Sequence, residues 1–476
     1  MITFFIAVAL LLAGYFVYGQ WMEKIFGAKS DIRTPAYTHQ DNVDYIPMPW
    51  GRVFLIQFLN IAGLGPIFGA VMGAVYGPSA FLWIVLGSIF GGAVHDYLSG
   101  MMSVRDQGKS LPEITGKYLG NGFKQFMRIF TVLLMVLVGA VFIAGPAKLL
   151  ANLTPSVLDF TFWCVVVFIY YMLATLLPID KIIGKIYPFF GFALLFMAAG
   201  IGTSLIYFGA PIPEVIPSGL HNMHPEPDTY PIFPLLFISI ACGAISGFHA
   251  TQSPLMARCL KNEKQGRRVF YGAMIVEALV ALIWAAAAMS FFGSVGGLQQ
   301  FLADNGNNAA VVVDKIAHTW LGKFGGLLAI IGVIAAPITS GDTAFRSARL
   351  IVADFIGYNQ KPLTNRLWIA VPLFIAGFFI LQVNFDVIWR YFAWSNQTLA
   401  AITLWTITVY LAQKKKCYRI TLLPAVFMTM VVLSYILIAP EGFRLPHAMS
   451  YALAGVCTAV ILFIFMRWLK KKINLI

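Results

Sequence analysis

Side chains that can ionise or form strong hydrogen bonds interrupt otherwise apolar stretches of this sequence at four places. These residues are His95 and Asp96 in "GGAVHDYLSG", His249, Thr251, Gln252 and Ser253 in "SGFHATQSP", Thr339, Ser340, Asp342 and Arg346 in "ITSGDTAFR", and Asn396 and Gln397 in "WSNQT". A charged or amide group at membrane depth is costly, so such groups usually face a polar cavity or a partner. The four places therefore predict an internal polar site.

Each ionisable group allows two interpretations. Asp342 and Arg346 are spaced i, i+4, so they form either a structural ion pair or a site where protonation of Asp342 is linked to conformation. His95 is either a boundary residue bonded by loop groups or part of a coupling path. His249 is either a structural residue or a group on the proton path, since imidazole titrates near neutral pH. Snorkelling or pairing with the nearby "GRR" would suffice for Glu277.

No motif indicates catalysis. HExxH, GxSxG, P-loop and supported GxGxxG patterns do not occur in the sequence, so no catalytic residue, cofactor or metal site is predicted. An intramembrane hydrolase could be built on His95, Asp96 and His249, but these residues lack any known ligand spacing. The five cysteines occur singly, without metal-ligand or disulfide spacing. The net charge of +13 does not indicate nucleic-acid binding, because Lys and Arg lie in short loops.

The elements that must position these groups are membrane spans. The 476 residues are 59% hydrophobic and 11% charged, with a mean hydropathy of +0.79, whereas soluble domains have about 25% charged residues. Apolar stretches of about 20 residues, each long enough to cross the bilayer core, recur along the whole chain. We therefore predict an all-α polytopic membrane protein with about thirteen spans, at 2–19, 52–77, 79–104, 126–148, 158–177, 185–209, 231–256, 269–292, 326–343, 366–382, 388–411, 420–438 and 447–466.

Loop charges predict the orientation of these spans. Alternate loops carry most of the Lys and Arg, for example "RCLKNEKQGRR" and "KKKCYR", whereas residues 210–231 have none. The positive-inside rule then places the N-terminus outside and the C-terminus in the cytoplasm. The first apolar stretch has no basic residue before it and no cleavage-site pattern after it, which predicts a retained helix rather than a signal peptide.

The second and seventh spans are predicted to be broken. Gly63, Gly65 and Pro66 interrupt the second, and Gly243 and Gly247 interrupt the seventh; glycine weakens a helix, and proline removes a hydrogen-bond donor. The two spans lie five apart, so spans 2–6 and 7–11 run in opposite directions, as in an inverted repeat whose broken helices meet around a substrate. The alternative is that glycine-rich helices merely pack closely.

Several longer stretches resemble the carbon starvation protein A (CstA) family over about residues 45–410. They are "GPIFGA" (65–70), "HDYLSGMMSVRDQGKSLPEI" (95–114), "SGFHATQSP" (246–254), "NEKQGRR" (262–268), "GDTAFRSARL" (341–350) and "NQTLA" (396–400). The resemblance implies a bacterial inner-membrane transporter of peptides or, with proton symport, of pyruvate. It also implies the amino acid–polyamine–organocation superfamily and its LeuT-type fold of five plus five inverted helices. The chain is expected to lack the additional C-terminal helices and soluble tail of longer members.

The expected organisation has four segments. Residues 1–51 form an N-terminal helix and cytoplasmic loop, 52–209 the first repeat, 210–411 the inverted second repeat with its outer loop, and 412–476 two further helices with a basic tail.

The expected function is import of a short peptide or a pyruvate-like carboxylate, by proton symport or with sodium. A passive channel is a weaker alternative, and the oligomeric state is not predicted. The expected partners are a small-molecule substrate, a coupling ion and the bilayer. We expect substrate contacts from Gly63, Gly65, Gly243, Gly247, His249, Thr251, Gln252, Asn396 and Gln397. Coupling is expected at His95, Asp96, Asp342 and Arg346, and a cation site could form at Thr339 and Ser340.

Overall fold

The computed structural model of the protein describes residues 1–176, 183–217, 219–383 and 385–473. Every regular element within these residues is a helix, and no β-strand occurs among them. The all-α fold predicted from hydropathy is therefore confirmed. Most of the predicted basic loop at 178–184 lies outside the described residues.

The helices are numbered here in chain order, with contiguous helical segments counted as one helix. They are α1 (Ile2–Phe26), α2 (Pro35–Thr38), α3 (Trp50–Ile61), α4 (Gly65–Tyr76), α5 (Ser79–Arg105), α6 (Leu111–Leu119), α7 (Asn121–Leu153), α8 (Phe160–Leu176), α9 (Ile183–Tyr207), α10 (Ile232–Ser239), α11 (Gly247–Ala257), α12 (Glu263–Phe291), α13 (Val295–Asp304), α14 (Ala309–Ile356), α15 (Leu363–Ile380), α16 (Phe385–Gln413), α17 (Arg419–Ile438) and α18 (His447–Ile473).

The length and apolar character of these helices identify a multi-pass membrane protein. Nine helices in the described part of the chain can cross a bilayer, and the bent pair α3–α4 raises the number to ten. The predicted count of thirteen spans, the inverted repeat and the four segment boundaries remain predictions.

The predicted break in the second span is present in the structure. Helix α3 ends at Ile61 and α4 begins at Gly65, and the two are bent by 56°. Pro66 lies in the first turn of α4, where its missing N–H costs no hydrogen bond. The proline therefore starts the second half of the span.

The predicted break in the seventh span is longer. Helix α10 ends at Ser239 and α11 begins at Gly247, so residues 240–246 cross the middle of the span without regular helical structure. Gly243 lies within this segment. The freed backbone groups must find partners inside the protein.

Helix α14 differs from the prediction at its end, because it continues to Ile356 instead of stopping at 343. Arg346 and Arg349, which follow the predicted end at 343, are fully enclosed and contact Asp44. A buried ion pair thus keeps charged residues inside a helix that hydropathy alone would end.

Burial separates central helices from peripheral ones. In the most apolar stretch of α5 and of α12, 78% of the residues are buried, compared with 22% in α18. Helices α5 and α12 therefore form the interior, and α18 presents apolar side chains such as Val456 and Phe463 outward, as expected toward lipid.

Candidate functional site

The two broken spans cross at their breaks. A Cβ added at Gly65 would lie 2.3 Å from the Cβ of Cys242, and one at Gly69 would lie 2.8 Å from the carbonyl oxygen of Ser239. On the other side, a Cβ at Gly63 would lie 2.6 Å from the Phe142 ring. Glycine is required here because backbones and side chains approach too closely for any larger residue.

Side chains from other helices satisfy the carbonyl groups freed between α10 and α11. The Trp83 indole donates to Ile240 O at 2.9 Å, and the Ser88 hydroxyl donates to Gly243 O at 3.0 Å. Both lie in a π-helical stretch of α5. Residues five apart lie near one face in this geometry, so both reach the same break.

Two adjacent amides of α16 hold the two half-helices. The side-chain carbonyl of Asn396 accepts hydrogen bonds from the Phe248 N–H at 2.7 Å and from the Ser246 hydroxyl at 3.1 Å, so it caps the start of α11. The Gln397 amide donates to Phe237 O near the end of α10 at 3.0 Å. Both side chains were expected to face a polar cavity; the structure places them on α10 and α11, and their contact with substrate remains a prediction.

The polar residues of α11 face several directions. Thr251 donates to Phe248 O at 2.6 Å, Gln252 donates to the Thr251 hydroxyl at 2.9 Å, and Ser253 donates to His249 O at 3.0 Å. Thr251 and Gln252 also contact the sulfur of Met135 in α7. These three side chains are therefore used largely within α11 itself.

His249 points instead into a fully buried cluster of ionisable groups. Its Nδ1 lies 2.8 Å from Asp96 Oδ2, and His95 Nδ1 lies 2.8 Å from Asp96 Oδ1. An ionised carboxylate only accepts hydrogen bonds, so both histidines donate to Asp96. On the opposite ring edge, His249 Nε2 lies 3.4 Å from Glu277 Oε2 of α12. The expectation that Glu277 snorkels to a surface is wrong, because its side chain is completely buried.

Asp342 occupies a second buried site about which the sequence said little. The Tyr170 hydroxyl donates to Asp342 Oδ2 at 2.9 Å, and the Tyr187 hydroxyl lies 2.5 Å from Oδ1. The same Tyr187 oxygen lies 2.7 Å from the carbonyl oxygen of Thr339. The carboxyl group of α14 is thus held by phenols from α8 and α9.

Arg346 takes its ion-pair partner from outside α14. Its Nη1 lies 3.0 Å from Asp44 Oδ1, and Nη2 of Arg349 lies 3.6 Å from Asp44 Oδ2. No ion pair between Asp342 and Arg346 occurs among the described residues, although their spacing allows one. Burial alone would raise the pKa of Asp44, but the guanidinium groups of Arg349, Arg346 and Arg258 hold that pKa below its usual value.

Thr339 and Ser340 lie between the buried site of Asp342 and the first break. The Thr339 hydroxyl donates to Ala336 O in the same helix at 2.8 Å. The Ser340 hydroxyl lies 2.8 Å from Leu59 O in α3 and 3.0 Å from Ala336 O. Ser340 therefore connects α14 to the turn just before the first break.

The predicted site residues are thus spread over several places. The glycines, Asn396 and Gln397 lie at the broken spans, His95 and Asp96 join His249, and Asp342 and Arg346 lie in two separate contacts. Thr251, Gln252 and Thr339 donate hydrogen bonds within their own helices, and Ser340 contacts α3. Trp83, Ser88, Tyr170, Tyr187 and Asp44 were not predicted from the sequence as members of these sites. Aromatic and hydroxyl residues in apolar stretches carry no distinguishing signal, and Asp44 lies in a loop that looks like any polar loop.

Solved structures share this architecture. The structure of MhsT in complex with L-phenylalanine matches this chain with a TM-score of 0.55 at 15% identity. The match covers 85% of this chain and 98% of the MhsT chain. A manganese transporter of Eremococcus coleocola has a TM-score of 0.52 at 14% identity, covering 91% and 98%. The fold is therefore that of LeuT-like membrane transporters.

The family follows from sequence comparison. The family model described as carbon starvation protein CstA matches residues 1–162, 151–321 and 290–435, so the chain belongs to this family. An uncharacterized membrane protein of Haemophilus influenzae is 44% identical over 64% of this chain and 94% of its own.

Two relatives have functional names. The peptide transporter CstA of Bacillus subtilis is 26% identical over 90% of this chain and 89% of its own. The pyruvate/proton symporter BtsT of Escherichia coli is 28% identical over 59% of this chain and 48% of its own. These relatives and the structural neighbours are transporters rather than enzymes.

Proposed function

We propose that this protein imports a short peptide or a pyruvate-like carboxylate across the bacterial cytoplasmic membrane by proton symport. The names of the relatives support the substrate class, and the proton assignment rests on the geometry of Asp342. The substrate would bind between the breaks, against the backbone at Gly63, Gly65 and Gly243, all of which are buried in this conformation. The positive N-terminal ends of the half-helices α4 and α11 suit a carboxylate.

The observation that carries proton coupling is the pair of acceptors around Tyr187. A phenol has one proton to donate, yet its oxygen lies within hydrogen-bond distance of both Thr339 O and Asp342 Oδ1. If Tyr187 donates to the Asp342 carboxylate, its contact with Thr339 O is not a hydrogen bond. If it donates to Thr339 O, a protonated Asp342 can donate to Tyr187. The same arrangement therefore accommodates Asp342 with or without a proton.

The remaining residues predicted for coupling, and two of those predicted for substrate contact, receive structural roles in this proposal. His95 and Asp96 orient His249, and Arg346 with Arg349 binds Asp44 to close the cytoplasmic end of α14. Asn396 and Gln397 keep the half-helices in place, which sets the width of the substrate site.

Purified protein in liposomes tests the proposal. Pyruvate, a dipeptide and a tripeptide are offered separately under an inward pH gradient, an inward Na⁺ gradient, or neither. We expect one of these substrates to accumulate above equilibrium only with the pH gradient, and the accumulation to collapse when a protonophore is added. Equal uptake with and without gradients would indicate a passive channel and contradict the proposal.

Sodium coupling is the second candidate, and one contact favours it. The Ser340 hydroxyl and the Leu59 carbonyl lie together beside the first break, and oxygen ligands of this kind suit a hard cation. Accumulation driven by the Na⁺ gradient and insensitive to pH would select this alternative and exclude proton symport.

The proposed orientation predicts which loops can be labelled from outside the cell. We expect Thr229→Cys, in the loop without Lys or Arg, to react with an impermeant maleimide in intact cells. Lys261→Cys, in a basic loop, should react only after permeabilisation; both native residues are exposed. The exposed cysteines Cys417 and Cys457 are first replaced by serine. The opposite labelling pattern would reverse the orientation.

The Asp44 contact makes a second prediction, concerning closure of the cytoplasmic end. Asp44→Asn removes the negative charge between Arg346 and Arg349 and leaves buried cations uncompensated, which costs about 3–5 kcal/mol in buried pairs. We expect the loop to loosen and the buried thiol of Cys259, which contacts Asp44 O, to react several-fold faster with maleimide in inside-out vesicles.

The control and the pH dependence follow from the same contact. Asp31→Asn, at an exposed position, should leave the rate unchanged. The lowered pKa of Asp44 means that its pairing is complete above the ordinary aspartate pKa and is lost only as pH falls through the lower folded value. Labelling of the unmodified protein should therefore not vary between pH 6 and 8, apart from the intrinsic reactivity of the thiol. Unchanged labelling of Asp44→Asn would show that this contact does not hold the end closed.

A further inference from the structure

Three buried side chains with metal-binding atoms converge beside the second break. The atoms are the thiol of Cys242, the imidazole nitrogen of His249 and a carboxylate oxygen of Glu277, and all lie within 4.8 Å of one another. All three side chains are buried. Among the described residues, His249 Nε2 and both oxygens of Glu277 make no hydrogen bond. Such groups are expensive to bury without a partner.

The surroundings prepare His249 to act as a ligand. Its Nδ1 donates to Asp96, so the lone pair of its neutral form lies on Nε2, which faces Glu277. A carboxylate on the far nitrogen is the usual outer partner of a metal-bound histidine, since it sets the tautomer and the ring orientation. His95 holds the other oxygen of Asp96, so this support is itself fixed.

We infer that Cys242, His249 and Glu277 form a binding site for one divalent transition-metal ion of the zinc class. Zinc binds thiolate, imidazole and carboxylate ligands at about 2.0–2.3 Å, which places tetrahedral ligands about 3.3–3.8 Å apart. The 3.4 Å between His249 Nε2 and Glu277 Oε2 already fits. The Cys242 sulfur needs to approach by at most about 1.5 Å to reach this separation.

Charge balance distinguishes an ion from the simplest alternative occupant, a proton. A proton on His249 Nε2 would serve at most one oxygen of Glu277 at a long distance, and the thiol would keep only its long contacts with Ser246 and Asn396, at 3.7 and 4.0 Å. A divalent cation would balance the charges of Glu277 and of the Cys242 thiolate, whose proton is released to solvent on binding. The ion would also tie the break between α10 and α11 to α12. This inference goes beyond the proposed transport function and does not depend on it.

Metal content and a cobalt spectrum test the site without any transport assay. Full-length protein is produced in medium containing ZnSO₄, so that the site can fill during folding, and the affinity tag is removed. We expect about one zinc per chain. After exchange with Co²⁺, we expect a near-ultraviolet thiolate-to-cobalt charge-transfer band and visible bands of a tetrahedral site.

Matched variants assign the ligands. Cys242→Ser should lose the charge-transfer band, and Glu277→Gln should weaken zinc binding by more than the roughly 10–100-fold that losing an outer partner costs. Asp96→Asn, which changes only that outer partner, should fall within the range of 10–100-fold. Cys259→Ser, at the other buried cysteine of the described chain, should retain full binding.

Two results would overturn the inference. One is wild-type protein that retains no zinc and shows no cobalt–thiolate band, which would leave a proton as the occupant. The other is Cys242→Ser with the metal content and spectrum of the wild type. The wild-type measurements decide the question even if a variant does not fold.

Discussion

Replacing Asp342 by asparagine is expected to abolish accumulation of substrate above equilibrium while exchange of internal for external substrate continues. Asparagine keeps the size of the side chain and can still bond to Tyr170 and Tyr187, so the fold should survive. It cannot release or take up a proton, so the pH gradient loses its connection to the substrate. Gradient-driven accumulation and counterflow in liposomes measure the two activities separately.

A carboxylate on the N-terminal side of the kink at Gly322 in α14 provides the control. Asp314 lies near the start of α14, is 43% exposed and pairs with His318, so Asp314→Asn should accumulate substrate as the wild type does. Normal accumulation by a well-expressed Asp342→Asn protein would contradict proton coupling at this site and leave Asp342 as a structural residue.

The other large effect is expected at Gly247, where α11 begins against α16. A Cβ at this position would lie 2.3 Å from the backbone nitrogen of Ala400 and 2.4 Å from the backbone carbonyl oxygen of Asn396. Backbone atoms cannot rotate away, so Gly247→Ala must separate the helices and disturb the Asn396 cap. We expect the free energy of unfolding to fall by at least about 3 kcal/mol, the upper end of the usual cost of overpacking. Transport should be lost as well.

Gly51→Ala is the matched control for this effect. Nothing lies within 4 Å of a Cβ at Gly51, the second residue of α3, and alanine favours a helix over glycine by at most about 1 kcal/mol. The control should therefore melt at the wild-type temperature or slightly above it. The comparison uses the melting temperature of the detergent-solubilised protein. Size-exclusion chromatography measures the fraction of protein that remains folded after heating. A wild-type melting temperature for Gly247→Ala would show that α11 and α16 do not pack as closely as described.

Errors in the sequence analysis have a common cause at Arg346 and Glu277. The ninth span was predicted to end at 343, before Arg346 and Arg349, and Glu277 was expected to snorkel or to pair with nearby arginines. Ending the span and letting Glu277 snorkel both assume that charged residues leave the apolar core, which is the usual case when only the local sequence is known. In the structure, Asp44 neutralises the arginines and His249 faces Glu277, so the charges stay inside.

The sequence by itself determined local properties of the chain. Hydropathy established a multi-pass helical membrane protein, Gly63–Pro66 and Gly243–Gly247 located the two breaks, and long motifs indicated the CstA family. These features depend on residues that are neighbours in the chain, such as apolar runs and helix-breaking residues. They can therefore be recognised without knowing how the helices pack.

The tertiary structure alone decided which polar groups meet. His249 and Asp96 are separated by 153 residues, and Tyr187 and Asp342 by 155. Their pairing depends on how α5 packs against α11 and α9 against α14. The contacts of Trp83 and Ser88 with the second break likewise depend on the π-helical stretch of α5. Spacing along the chain contains no record of these contacts, because they are formed by side-chain packing between distant helices.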